Sequence, residues 1–283
     1  MAVGRRAVLG ALAVGVLGGC GRDAGPPDDG PPAAPPATPA ASAAPATPVA
    51  SAALPARAAV VDRYAGSRPE SWGTDVAGVV TARPDAALAL TFDACGGPGG
   101  DGYDGALVDT LRQHGVPATL FLNARWIDAN PERARELAAD PLFEIGNHGT
   151  AHRPLSVTGR AAYGIAGTRD AGEAYDEVAG NHARLTALLG RPPRWFRSGT
   201  AHYDEVATRI VADLAEQVAG FAVNADGGAT FTAEQVRTAL ADVPPGALVI
   251  AHLNHPAGGT APGFAAALPT LLAAGRTFAR LSD

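Results

Sequence analysis

The apolar positions divide the chain into three stretches. Residues 7–19 are almost wholly apolar, follow Arg5-Arg6, and lead into Leu17-Gly18-Gly19-Cys20. Residues 21–59 are nearly all Pro, Ala, Thr, Ser and Gly with a few Asp, and have almost no large side chains to offset the entropy of ordering them. In residues 60–283, short apolar runs alternate with segments of helical period. The runs predict strands over 87–92, 118–122, 143–146, 194–196, 220–223, 247–253 and 277–281. The helical spacing predicts helices over 104–114, 131–139, 172–189, 204–218, 233–241 and 264–274, two of them marked by Asn130 before Pro131 and by Thr232 before Ala233-Glu234-Gln235. Alternating strands and helices imply a parallel sheet covered by helices. The expectation is an α/β fold, a distorted (β/α) barrel of about seven parallel strands, with its chemistry at the carboxyl ends of the strands.

The first stretch has the layout of an export signal: a charged start, an apolar centre and a small-residue end. It is shorter than the ~20 apolar residues that a membrane span needs. Leu17-Gly18-Gly19-Cys20 resembles a bacterial lipoprotein processing box, so residues 1–20 are expected to be a signal peptide and Cys20 the site of lipidation. Residues 21–59 then form a disordered linker that reaches on the order of 100 Å at ~3.1 Å per residue. This places residues 60–283 outside the cytoplasm, anchored to the membrane and facing the cell wall or periplasm. Sec and twin-arginine routes both fit Arg5-Arg6.

Net charge narrows the partners. The chain carries 22 basic and 28 acidic residues for a net charge of -6, every basic residue is Arg, and no basic run exceeds two. Nucleic acid is therefore excluded as a partner, because phosphate binding needs a basic footprint. Two cysteines, Cys20 and Cys95, are too few for a disulfide scaffold or a Cys-rich structural zinc site. No protein partner is inferred.

Polar groups gather at the predicted strand ends. The first strand runs into Asp93-Ala94-Cys95-Gly96-Gly97, the third into Asn147-His148 with His152 four residues on, and the fourth into Arg197-Ser198-Gly199. The fifth ends at Asn224-Ala225-Asp226 and the sixth at His252-Leu253-Asn254-His255. Four of the seven histidines thus fall at two strand ends, where loops scattered at random over the surface would spread them. His148 and His152 are spaced so that both rings lie on one side of a helical turn or tight loop. Neutral imidazoles there suit Zn²⁺, Co²⁺ or Ni²⁺, for which a catalytic site supplies three protein ligands and one open position. His114 and His182, within predicted helices, read as solvated, and Cys95 reads as a small buried residue beneath the first strand.

In this order the motifs resemble the NodB-homology polysaccharide deacetylases, a carbohydrate esterase type. Thr91-Phe92-Asp93-Ala94 stands where that family has Thr-Phe-Asp-Asp, and His148-Gly149-Thr150-Ala151-His152 matches its His-Ser/Thr-x-x-His. Arg197-Ser198-Gly199-Thr200 matches the start of its third motif, Asp226 its fourth, and Ile250-Ala251-His252 its Leu-x-His. The resemblance implies Asp93 as general base, Arg197 as the group that orients it, His252 as general acid and Asp226 as the holder of the His252 ring. It also implies the backbone N–H of Thr200 as an oxyanion donor and a divalent metal, Zn or Co, on His148 and His152. Ala94 replaces the usual third ligand, so the shell is completed by water, by Asp93, by Cys95, Asp101 or Asp104, or no metal binds. His255 and Trp126 are candidate substrate contacts, the latter by stacking on a sugar ring.

The function implied is an extracytoplasmic, lipid-anchored hydrolase that removes acetyl groups from N-acetylated glycans, with cell-wall polysaccharide as the expected substrate. Two other readings stand beside it. One is a carbohydrate-binding lipoprotein that lost turnover with the metal carboxylate; the other is an amidohydrolase of the same fold acting on a small non-sugar amide.

Overall fold

The computed structural model describes residues 54–283. The expected signal peptide, Cys20 and most of the expected linker lie outside the described residues. The strands are β1 (Trp72–Gly73), β2 (Val79–Val80), β3 (Ala89–Ala94), β4 (Ala118–Leu122), β5 (Phe143–Asn147), β6 (Trp195–Phe196), β7 (Tyr203–Asp204), β8 (Gln217–Ala219), β9 (Val223–Asn224) and β10 (Leu248–His252). The helices are α1 (Arg57–Tyr64), α2 (Gly105–His114), α3 (Ala124–Ala129), α4 (Pro131–Ala139), α5 (Ala171–Leu189), α6 (Glu205–Asp213), α7 (Ala233–Ala241) and α8 (Thr260–Ala273). Helix α1 starts inside the stretch expected as linker and buries Val60, so the folded unit begins before residue 60.

One eight-stranded sheet runs in the order β2-β8-β6-β5-β4-β3-β10-β9, and its neighbours pair in parallel. This corrects the expected count of about seven and the closed barrel, because β2 and β9 remain edges. The sheet nevertheless curls: beyond β2 the Thr81 carbonyl accepts from the Leu248 N–H at 3.0 Å, and Ala82 bridges Ala247. Residues 277–281 contribute one bridge, Phe278 to Leu88, in place of the seventh expected strand. The expected helix 204–218 stops at Asp213, and Ala215, with φ of 61°, turns the chain into β8. In so short an apolar run, periodicity alone does not separate strand from helix.

The central strands β3, β4 and β5 are buried along their whole length, as parallel strands covered on both faces must be. Alternation along β3 then decides what reaches the interior of the curl. Leu88, Leu90, Phe92 and Ala94 join the apolar cluster beneath the helices, with Leu107, Leu111 and Phe264. Ala89 packs on the other face with Phe121, Trp195 and Leu248, so Thr91 and Asp93 share that face by the two-residue period. Helix ends are set locally. Asp104 accepts from the Leu107 N–H at 3.1 Å, and Thr232 and Gln235 form a capping box on α7.

Candidate active site

Asp93 lies near the carboxyl end of β3, and its register partner on β10 is His252. Arg197, just after β6, is fully buried and donates from Nη1 to Asp93 Oδ1 and to Thr91 Oγ1, both at 2.8 Å. Its Nε and Nη2 donate to the carbonyls of Ala219 and Gly220 at 3.2 and 2.8 Å, and the guanidinium carbon sits 4.4 Å from the Phe121 ring centre. A buried cation is tolerated only when paired and hydrogen-bonded in this way. Burial pushes the Asp93 carboxyl up, but Arg197, then His148 and His252, hold it below its ordinary value. Asp93 is therefore an ionised carboxylate with one oxygen pinned and the other, Oδ2, 3.7 Å from His148 Nε2.

His148 follows the end of β5 and is fully buried. Its Nδ1 lies 2.9 Å from the Arg197 carbonyl, which can only accept, so Nδ1 carries a proton and, in the neutral ring, Nε2 presents the lone pair. Cys95 Sγ is 3.7 Å from that Nε2. His152 stands in a tight loop at φ 61°, its ring centre 5.0 Å from that of His148, with a buried Nε2 that has no partner. One ligand atom from each of Cys95, His148 and His152 lies within 4.8 Å of the others. Donors of this kind, two imidazole nitrogens and a sulfur with one nitrogen orphaned, suit Zn²⁺ or Co²⁺. Cys95 thus differs from the expected residue beneath the strand. Burial would raise its thiol, but the His148, His152 and His252 imidazoles hold it well below the ordinary value.

Two local features let this loop approach. Gly199 packs so closely that a Cβ there would lie 2.3 Å from the His152 carbonyl carbon. Glu177 on α5 is buried, and its carboxylate accepts from the backbone N–H groups of Ala151 at 3.0 Å and Arg153 at 3.2 Å. Glu177 carried no motif signal, since its partners are backbone groups more than twenty residues away in sequence.

On the other side of the rim, His252 Nδ1 lies 3.0 Å from Asp226 Oδ1, and the His252 backbone N–H donates to Asp226 Oδ2 at 2.7 Å. Thr260 Oγ1 and the Gly228 N–H also donate to Asp226, each at 3.1 Å. Burial would lower the His252 imidazole, but Asp226 and Cys95 raise it well above its ordinary value. With Nδ1 bound to the carboxylate, Nε2 is the position from which the ring can give a proton. The rim therefore combines a carboxylate, an imidazolium and a cluster of metal-binding atoms, the set needed for acid–base hydrolysis of a carbonyl compound.

The remaining expected residues divide. His255 stands beside His252, ring centres 6.4 Å apart, and is half-buried. Thr200 follows Gly199 beside the His152 loop, and its hydroxyl is buried without a partner. Trp126 does not fit a role in stacking: it is fully buried on α3, and its indole N–H donates to the Gly102 carbonyl at 2.7 Å, leaving no face for a sugar. Asp101 accepts from the Gly97 N–H at 2.7 Å and Asp104 caps α2, so neither belongs to the Cys95 cluster. His182 is buried against Glu216 at 2.7 Å, correcting the reading of a solvated helix position.

Residues 81–219 match the family model described as polysaccharide deacetylase. A chitooligosaccharide deacetylase from Bradyrhizobium sp. (strain ANU 289) is 31% identical over 156 residues, which cover 54% of this chain and 65% of that protein. The chain spans less than two thirds of the curated relatives it matches. Among solved structures, a CE4 family pseudoenzyme from Bacillus anthracis superposes with a TM-score of 0.59 at 20% identity, covering 70% of this chain and 65% of that one. A family 4 acetyl xylan esterase from Clostridium thermocellum, in complex with a cobalt ion, gives 0.56 at 22% identity, covering 69% and 88%. The structural likeness shows the fold, and residues 81–219 are similar to the polysaccharide deacetylase family.

Proposed function

We propose, from the match of residues 81–219 to the polysaccharide deacetylases, that this chain hydrolyses acetyl groups from N-acetylated glycans. We place it outside the cytoplasm, carried on a lipid at Cys20 by a linker over residues 21–59, with cell-wall polysaccharide as its substrate. The observation that carries the reading is the pairing of Asp93 with His252 across neighbouring strands, each held by its own buried partner.

The proposed chemistry is amide hydrolysis. A water attacks the acetyl carbonyl carbon while Asp93 takes its proton, and the carbon–nitrogen bond breaks as His252 gives a proton to the leaving amine. The products are acetate and a free amino sugar. Arg197 leaves Asp93 one oxygen for this work and keeps it ionised; Asp226 fixes the His252 ring so that Nε2 faces the amine. The Thr200 backbone N–H is the oxyanion donor, and His255 contacts the glycan at the rim. A divalent cation held by His148 and His152 would supply Lewis-acid polarisation of the acetyl oxygen.

A glycan-binding protein without turnover is the second reading, favoured by Ala94 and by the pseudoenzyme among the structural neighbours. Binding alone does not call for an ionised base and a protonated acid facing one another. Acetate release from N-acetylglucosamine oligomers, measured after chelation and again after adding Zn²⁺ or Co²⁺, separates the two: metal-dependent acetate supports hydrolysis, and none under any metal condition leaves the binding reading.

A further inference from the structure

We propose that Cys95 supplies the third protein ligand of the metal site, making it a thiolate–bis-imidazole centre in which the sulfur takes over the work of the missing carboxylate. This rests on the proposed function only in its assumption that His148 and His152 hold a cation.

Four observations converge on it. First, Ala94 offers only a methyl group, which can coordinate nothing, and it packs with Leu90 and Phe92 in the apolar cluster under the helices. The ligand position therefore moves one residue along the chain, to where β3 has ended and the backbone turns at Gly96 with φ of 67°. Second, Cys95 Sγ and His148 Nε2 are 3.7 Å apart. Two ligands of a tetrahedral zinc, with bonds of ~2.3 Å to sulfur and ~2.0–2.1 Å to nitrogen, stand roughly 3.6 Å from one another. Third, the His148 tautomer set by the Arg197 carbonyl aims a lone pair into the cluster, and the buried His152 Nε2 lacks any partner. Fourth, the carboxylates fall outside the cluster: Asp101 accepts from the Gly97 N–H, Asp104 Oδ1 caps α2, and Asp93, with Oδ1 held by Arg197 and Oδ2 3.7 Å from His148 Nε2, is not among the groups whose ligand atoms all lie within 4.8 Å of one another.

The consequence is a choice of metal. A thiolate with two imidazoles selects Zn²⁺, Co²⁺ and Cd²⁺ over the oxygen-seeking Mg²⁺, Ca²⁺ and Mn²⁺. The thiolate is the ligating form, so metal binding weakens at a pH low enough to protonate the sulfur.

Cobalt titration of the full chain tests this directly, because a thiolate on Co²⁺ gives a near-ultraviolet sulfur-to-metal charge-transfer band. The expected result is one equivalent of Co²⁺ with that band, retained in Cys20→Ser and lost in Cys95→Ala. In Cys95→Ala the affinity should also fall by more than the roughly 10- to 100-fold typical of an outer-shell change. Cys95→Asp should bind metal without the band, which separates ligand loss from misfolding. An unchanged spectrum and affinity in Cys95→Ala would overturn the assignment while leaving His148 and His152 as the site. Wild-type protein that takes up no Co²⁺ would remove the metal from the account, and acetate release would then decide the hydrolase reading by itself.

Discussion

Two hydrogen-bonded carboxylate–imidazole pairs lie among the described residues, Asp226–His252 at the rim and Glu216–His182 behind β5, with contacts of 3.0 and 2.7 Å. Their groups are the same and their surroundings differ. Asp226 has both oxygens filled by the His252 ring and N–H, the Gly228 N–H and Thr260, while the far side of the His252 ring faces the rim. Glu216 Oε1 takes His182 and the Asn147 amide, but Oε2 is buried without a partner. Burial therefore dominates at Glu216 and pushes its carboxyl up to about 7, whereas hydrogen bonds dominate at Asp226 and hold it low. A carboxylate–imidazole pair becomes a candidate acid only where the second ring nitrogen can reach a substrate. The other pair is scaffold, and through Asn147, which accepts from the Gly149 N–H, it backs the His148 loop.

The largest expected effect belongs to the rim. Asp93→Asn should lower acetate release by roughly 10²–10⁴-fold and His252→Ala by at least about 10²-fold, with circular dichroism unchanged. His182→Gln should leave turnover within a few-fold while lowering thermal stability; a loss equal to that of His252→Ala would erase the distinction between the pairs. Next comes a shift in pH dependence. Asp226→Asn removes the carboxylate that raises His252, so the alkaline limb of the rate profile should move to lower pH, where the acid loses its proton sooner. A limb that stays in place would detach His252 from the proton donated.

A smaller effect reads out the buried pair. The folded Glu216 pKa, about 7, lies above its ordinary 4.5, so its contribution to stability is full below pH 4.5 and is lost as pH rises through about 7. Glu216→Gln should flatten the fall in unfolding free energy over that window, a fall on the order of one to a few kcal/mol. Parallel melting curves for the two proteins would show that Glu216 is not strained by burial. The smallest effect is expected at Trp126→Phe, which removes one donor to the Gly102 carbonyl, costs about 1 kcal/mol of stability and leaves KM unchanged.

Much of this was readable from residue pattern where local chemistry marks boundaries. Helices α4 and α7 start where Pro131 and the Thr232–Gln235 box place them, and β4 matches its apolar run to the residue. Two-residue strands such as β2 hold too few positions to show a period, and α3, capped by Asn123, turns inward the Trp126 expected to stack on a sugar ring. The buried contacts of His182 with Glu216 and of Glu177 with the His152 loop join residues distant in sequence, and no spacing rule announces them. Cys95 was ambiguous for a similar reason: its neighbour His148 lies 53 residues away, on another strand end.

The central claim is that Asp93 and His252 act on one acyl group, and acetate release by the single variants and by Asp93→Asn/His252→Ala tests it most directly. Groups that work as a unit are strongly non-additive, so the double variant should be little slower than the slower single one. Losses that multiply in the double variant, or single variants that release acetate as fast as the unmodified protein, would contradict the account.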